Sequence, residues 1–130
     1  MSTVFSRIVA GEIPCHKILE DDRFLAFLDV FPLVEGHTLV IPKVEVDYIF
    51  DMEDTMLGDM TIFSKKVASM LKSSIPCLKI GVSVIGLEVP HAHIHLIPMH
   101  QVSDMNFSRP KLSLTQVELS QIAEKIRSAH

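Results

Sequence analysis

A chain of 130 residues, with 12 Lys+Arg against 16 Asp+Glu and a formal charge of -4, is sized for one domain around one buried core. It carries no basic run suited to successive phosphates of a polymer and no apolar run near the roughly 18–20 residues that span a bilayer, which excludes long nucleic acid and membranes as expected partners. Cys15 and Cys77 lie far apart without a Cys-x-x-Cys pair, and the first residues show no secretory pattern, so a reduced cytoplasmic setting is expected.

In chain order, "FSRIVAGEI" predicts a short helix that Gly11 and Pro14 stop. "HKILEDD" and "RFLAFLDVF" read as two strands joined by a turn at Glu20-Asp21-Asp22-Arg23, and "GHTLVIP" as a third strand bounded by Gly36 and Pro42. Between Asp54 and Ser73 the period changes: Met56, Met60, Phe63, Val67 and Met70 recur at steps of four and three, one apolar face of a long helix, with Asp59, Lys65, Lys66 and Ser69 opposite. "CLKIGVSVIGLEV" is apolar on both faces and predicts an interior strand. "HAHIHLIP" predicts the fifth strand, ended by Pro98, and Met99 to Lys111 reads as a loop. "TQVELSQIAEKIRSAH" opens with a capping-box pattern, Thr115 to Glu118, and carries a helical stripe of Leu119, Ile122, Ala123 and Ile126. A mean hydropathy of +0.32 in a chain without a membrane span calls for another outlet, and a buried subunit interface supplies it.

Alternate residues of a strand share a face, so His91, His93 and His95 would stand about 7 Å apart along one side, with Ala92, Ile94 and Leu96 on the other, where the long helix can cover them. Three readings are open. The imidazoles can be solvated strand residues, or zinc ligands completed by His37 or His100, or the machinery of phosphoryl or nucleotidyl transfer. In the last case one neutral imidazole attacks phosphorus while its neighbours bind the oxygens, because clustered imidazoles oppose each other's protonation.

The run "HAHIHLI" matches every position of H-φ-H-φ-H-φ-φ, with φ apolar, and "FSRIVAGEIP", "EDDRFLAFLDVFP" and "GHTLVIPK" precede it in order. In these stretches the chain resembles the histidine triad nucleotide hydrolases and transferases from about Phe5 to Pro98. The resemblance implies an α+β fold, a five-stranded antiparallel meander with a long helix and short terminal helices, paired as a homodimer with a joined sheet. One domain is expected over 1–130, with the core motifs in 1–98 and, from the residue pattern, a loop plus C-terminal helix in 99–130. His93 matches the nucleophile that attacks the α-phosphate, His95 and His37 the residues that orient and stabilise the phosphate, and His91 the histidine near the leaving group. Asp29 matches the acid that accepts the ribose hydroxyls, and Phe5, Ile8, Phe27 and Val30 match apolar positions around the base.

The implied activity is release of a nucleoside monophosphate, AMP or GMP, from a phosphoramidate, acyl phosphate or dinucleoside polyphosphate through a nucleotidyl-histidine intermediate, with a purine nucleotide as substrate and no cofactor. A nucleotide-binding regulator with little turnover is the alternative, and a zinc-binding module the third. Two departures matter. Leu87 stands where the family often has glutamine and Glu88 where it has serine or threonine, so a carboxylate at the nucleotide site either selects a positively charged leaving group, contacts a sugar hydroxyl, or faces solvent. The amino-terminal Cys-x-x-Cys of zinc-binding relatives is replaced by "TVFS", so no metal is expected. His95 stands where the uridylyltransferase branch has glutamine, which favours hydrolysis over transfer.

Overall fold

The computed structural model describes residues 2–129. The chain runs α1 (Val4–Val9), β1 (Lys17–Glu20), β2 (Phe24–Leu28), β3 (Thr38–Pro42), α2 (Asp54–Ser74), β4 (Lys79–Ser83), β5 (Ile94–Met99) and α3 (Gln116–Arg127), with 3-10 turns at Ile49–Asp51 and Val102–Met105. Thr115 caps α3 as its sequence predicts: its hydroxyl accepts from the Glu118 N–H while the Glu118 carboxylate accepts from the Thr115 N–H. The turn between β1 and β2 is held by Asp21, whose carboxylate accepts from the N–H groups of Arg23 and Phe24.

All pairings in the five-stranded sheet are antiparallel, in the order β1-β2-β3-β5-β4. The first three strands form the expected meander. The chain then crosses through α2 to the far edge, and β5 inserts between β3 and β4. The stretch predicted as an interior strand is therefore the edge strand β4, and only Lys79–Ser83 of it is paired. Its two-sided apolar character survives as exposure, with Val82, Val84, Ile85 and Leu87 open to solvent and Leu87 89% exposed. Local pattern reports that both faces are apolar but not what covers them.

A second correction concerns the histidine run. β5 begins at Ile94, so His91 and His93 precede the strand, and Pro98 lies inside it, paired with Ile80. The β3·β5 ladder stops at Val40↔Ile94 for identifiable reasons. Pro42 has no N–H to offer, its carbonyl takes the His91 ring instead (Nε2···O 2.8 Å), and the Ala92 N–H donates to the Val46 carbonyl.

The alternation of faces holds nonetheless. Ala92, Ile94 and Leu96 join Met60, Phe63, Val67 and Leu71 of α2 and Leu119, Ala123 and Ile126 of α3 in the main core. On the other face Leu25, Phe27, Leu39 and Ile41 pack with Phe5 of α1 in a second, smaller core. The histidines belong to this second face, but they are buried in it rather than solvated.

Candidate active site

Four elements bring the predicted histidines together. The loop from Asp29 to His37 closes on itself through Asp29 N–H to His37 carbonyl (3.0 Å) and His37 N–H to Val34 carbonyl (3.2 Å), which sets the Asp29 carboxylate 3.7 Å from His37 Nε2. Gly36 makes the turn possible. Its φ is +89°, and a Cβ there would lie 3.0 Å from Ile75 Cγ1 and 3.2 Å from Pro98 Cγ, so both conformation and space require glycine. β5 supplies His95, opposite Leu39 of β3, and the chain just before it supplies His91 and His93. α1 supplies Phe5, whose ring centroid is 4.9 Å from that of His93, 5.9 Å from that of His91 and 5.7 Å from that of Phe27, all edge-on.

Hydrogen-bond partners of fixed polarity assign each imidazole its tautomer. The Leu33 N–H donates to His37 Nδ1 (3.0 Å), so the proton of neutral His37 is on Nε2, which donates to His95 Nδ1 (2.9 Å). His95 in turn carries its proton on Nε2. His93 Nδ1 donates to the His91 carbonyl (2.8 Å), leaving His93 Nε2 as a bare lone pair. His91 Nε2 donates to the Pro42 carbonyl, and its Nδ1 accepts from the Thr3 hydroxyl (3.3 Å). A lone pair on His93 and an N–H donor on His95 thus stand on adjacent rings, centroids 4.9 Å apart.

Burial keeps this arrangement neutral. His37 is lowered from 6.5 to about 3, first by burial and then by His95, Lys111 and His93. His95 is lowered to about 4 by burial and by His93. His93 is lowered as well, chiefly by burial, with the His91 carbonyl and Glu88 opposing the shift. Burial raises Asp29, while the Phe31 N–H, which donates to its Oδ1 (2.9 Å), and Lys111 pull it back.

Asp29, His37 and His95 have donor atoms within 4.8 Å of one another, a spacing a metal ion can use. The His37 and His95 nitrogens in question already share a proton, however, and His37 Nδ1 is occupied by a backbone N–H, so a cation would have to displace that hydrogen bond.

The remaining expected residues divide. Phe27 and Phe5 are buried beside the histidines, Ile8 packs against the same cluster, and Val30 is exposed next to Asp29. Glu88 lies apart from Asp29, lining a cleft of about 670 Å³ with Thr3, Val4, Glu45, Asp47 and Val89, on the side where Thr3 meets His91. Thr3 itself was not expected in the site. As N-cap of α1 its hydroxyl accepts from the Ser6 N–H (3.1 Å), so one side chain ties the helix start to the triad. The Thr-x-x-Ser spacing was the available signal for the cap; nothing local signals the contact with His91.

A model of the HIT domain matches residues 10–102. The chain belongs to the histidine triad family. This histidine triad protein is 32% identical, over 98% of both chains, to a Schizosaccharomyces pombe protein named adenosine 5'-monophosphoramidase. It is 34% identical to a HIT-like protein of Borreliella burgdorferi, covering 95% of this chain and 94% of the other. Among solved structures, a Hit-like protein from Bartonella henselae superposes with a TM-score of 0.86 at 28% identity, over 99% of this chain and 97% of that one. The histidine triad fold expected from the sequence is therefore the observed one, with its antiparallel five-stranded sheet and three helices.

Proposed function

We propose that the protein is a nucleotide phosphohydrolase that releases a nucleoside monophosphate from a phosphoramidate, with adenosine 5'-phosphoramidate as the substrate to test first. The observation that carries this reading is the pair of tautomers on adjacent rings: a bare His93 Nε2 and a protonated His95 Nε2. His93 Nε2 attacks phosphorus, the P–N bond to the leaving amine breaks, and that nitrogen takes a proton from solvent water and leaves as an amine. Water then attacks the phosphorus of the nucleotidyl-His93, forming the new P–O bond and releasing a proton to solvent, while the P–Nε2 bond breaks and its electron pair returns to His93. His95 Nε2–H, held by His37, donates to a non-bridging oxygen in both steps.

Asp29 accepts the ribose hydroxyls, and Phe5, Ile8, Phe27 and Val30 provide the apolar setting for the base. His91, the histidine that the resemblance places near the leaving group, holds its neighbour in this reading. Both of its ring nitrogens are engaged, one with the Pro42 carbonyl and one with the Thr3 hydroxyl, and its carbonyl fixes the His93 tautomer. The name of the S. pombe relative supports phosphoramidase activity, and the 32% identity over nearly the whole chain makes it a fair guide.

The test is an early quench with adenosine 5'-phosphoramidate followed by intact mass. Wild type is expected to carry an adenylyl group and to release AMP; His93→Ala is expected to carry none and to lose at least about a thousandfold in rate. Saturable AMP binding with neither adduct nor AMP release would replace this reading with the nucleotide-binding regulator, which the Glu88 carboxylate near His93 favours.

We further propose that the protein acts as a homodimer joined along β4. An edge strand with exposed Val82, beside a hollow lined by Phe50, Leu57, Val82 and Val84, is the kind of surface a second copy covers. Sedimentation at micromolar concentration is expected to give the dimer mass and, for Val82→Glu, the monomer mass. A wild-type monomer would remove the dimer.

A further inference from the structure

The family match ends at residue 102, yet the chain beyond it returns to the site. The Phe107 ring lies 4.8 Å from that of His95 at 69° and 6.3 Å from that of His37 at 74°, centroid to centroid. Two anchors hold this segment. At its start the Asp104 carboxylate accepts from the N–H groups of His100 (2.8 Å) and Gln101 (3.1 Å) and pairs with Arg109 (3.1 Å). At its end the Leu112 N–H donates to the Pro32 carbonyl (2.8 Å), in the loop that carries Asp29. Between them Lys111 Nζ donates to the Phe107 carbonyl (2.6 Å).

His95 needs such a neighbour. A single hydrogen bond through Nδ1 to His37 fixes where the ring attaches but leaves its plane free to swing, and a swing moves the Nε2–H away from the phosphate. Edge-to-face contact between rings favours a limited range of mutual angles, and His95 makes it with two rings, His93 and Phe107. Phe107 also covers the His37–His95 hydrogen bond, and water admitted there would compete for His95 Nδ1.

We propose that Phe107 is a positioning residue for His95: its ring sets the plane of that imidazole and shields the His37–His95 hydrogen bond, so that His95 Nε2–H is presented to the substrate phosphate. The proposal deepens the hydrolase reading of the site and rests on it for its kinetic test. Its spectroscopic test stands without that reading.

The experiment uses the full chain with Phe107→Ala and Phe107→Leu, measures kcat and KM for AMP release from adenosine 5'-phosphoramidate, and assigns the His95 tautomer from long-range imidazole 15N spectra. Phe107→Ala is expected to lower kcat roughly tenfold with KM changed less than about twofold, and to turn a pure Nε2–H His95 into a mixture. Phe107→Leu, which keeps an apolar cover but not the ring, is expected to fall between wild type and the alanine variant in both. Phe107 is only partly buried, so the alanine variant is expected to fold; if it does not, Phe107→Gln is expected to give the same loss. An unchanged kcat and tautomer in the alanine variant would overturn the proposal, as would a rise in KM at constant kcat, which would make Phe107 a substrate contact. A leucine variant as slow as the alanine variant would overturn it too. Should the wild type show no His93-dependent turnover, the hydrolase reading fails, and the spectra alone decide the place of Phe107.

Discussion

On β2, Phe24, Ala26 and Leu28 enter the core beneath α2 and α3, while Leu25 and Phe27 enter the smaller one beside α1. The first face is closed by two amphipathic helices and is held by apolar area. The second is covered by the six residues of α1, by Cys15 and Val89 and by the segment after β5, and it buries four imidazoles. Burying a polar ring is costly unless its nitrogens are partnered, and here fixed backbone groups supply partners for three of the four rings. The same bonds that make the rings tolerable also choose their tautomers. The larger apolar core lies on one face of the sheet, the histidine cluster on the other.

The largest test of that division is in the apolar face. Leu71 is completely buried in the α2 core, so Leu71→Ala is expected to lower unfolding free energy by about 3 kcal/mol, the usual loss for a buried leucine truncated to alanine. Urea unfolding would measure it. Below the unfolding transition, kcat for AMP release should stay within about twofold of wild type; a parallel fall would mean that the two faces are coupled through Ala92, Ile94 and Leu96.

A smaller effect sharpens the comparison from the other side. His37 and His95 have folded values of about 3 and about 4, against 6.5 as the ordinary value. Both are depressed bases, so the unfolded chain takes up protons that the folded chain refuses as pH falls below 6.5. Their contribution is fully present above 6.5 and is lost progressively as pH falls toward 4 and then 3. Thermal unfolding measured from pH 7 downward should therefore show a decline that His95→Asn makes shallower and Leu71→Ala leaves parallel to wild type. Equal slopes in all three proteins would show that the imidazoles are not held neutral by the fold.

What the sequence revealed follows the same division. Periodicity assigned α2 and its buried Met60, Phe63 and Val67, because a helix covering a sheet writes its face into spacings of three and four. The alternation of histidines and apolar residues assigned faces correctly even though His91 and His93 lie outside the strand. Three things were hidden. The position of β4 at the edge depends on which strand β5 pairs with, a long-range choice that no local pattern records. The late start of β5 depends on the Pro42 carbonyl, 49 residues away from His91 in sequence. Phe107 sits in a stretch without period, and the anchors at Asp104 and at Leu112, which is tied to Pro32, bring it to His95.

The smallest expected effect tests where the histidine face meets solvent. Glu88 is exposed on the cleft beside Thr3, and its charge raises the proton affinity of His93 against the effect of burial. A carboxylate so placed repels an anionic leaving group and attracts a cationic one, but an exposed charge is screened and acts weakly. Glu88→Gln is therefore expected to raise kcat/KM for a dinucleoside polyphosphate relative to a phosphoramidate of a cationic amine by a few-fold, on the order of 2–5. The ratio should shrink in high salt for the wild type and depend little on salt in the variant. A ratio that the substitution leaves unchanged would mean that Glu88 faces away from the leaving group, and that leaving-group choice lies with the histidines and the backbone that orients them.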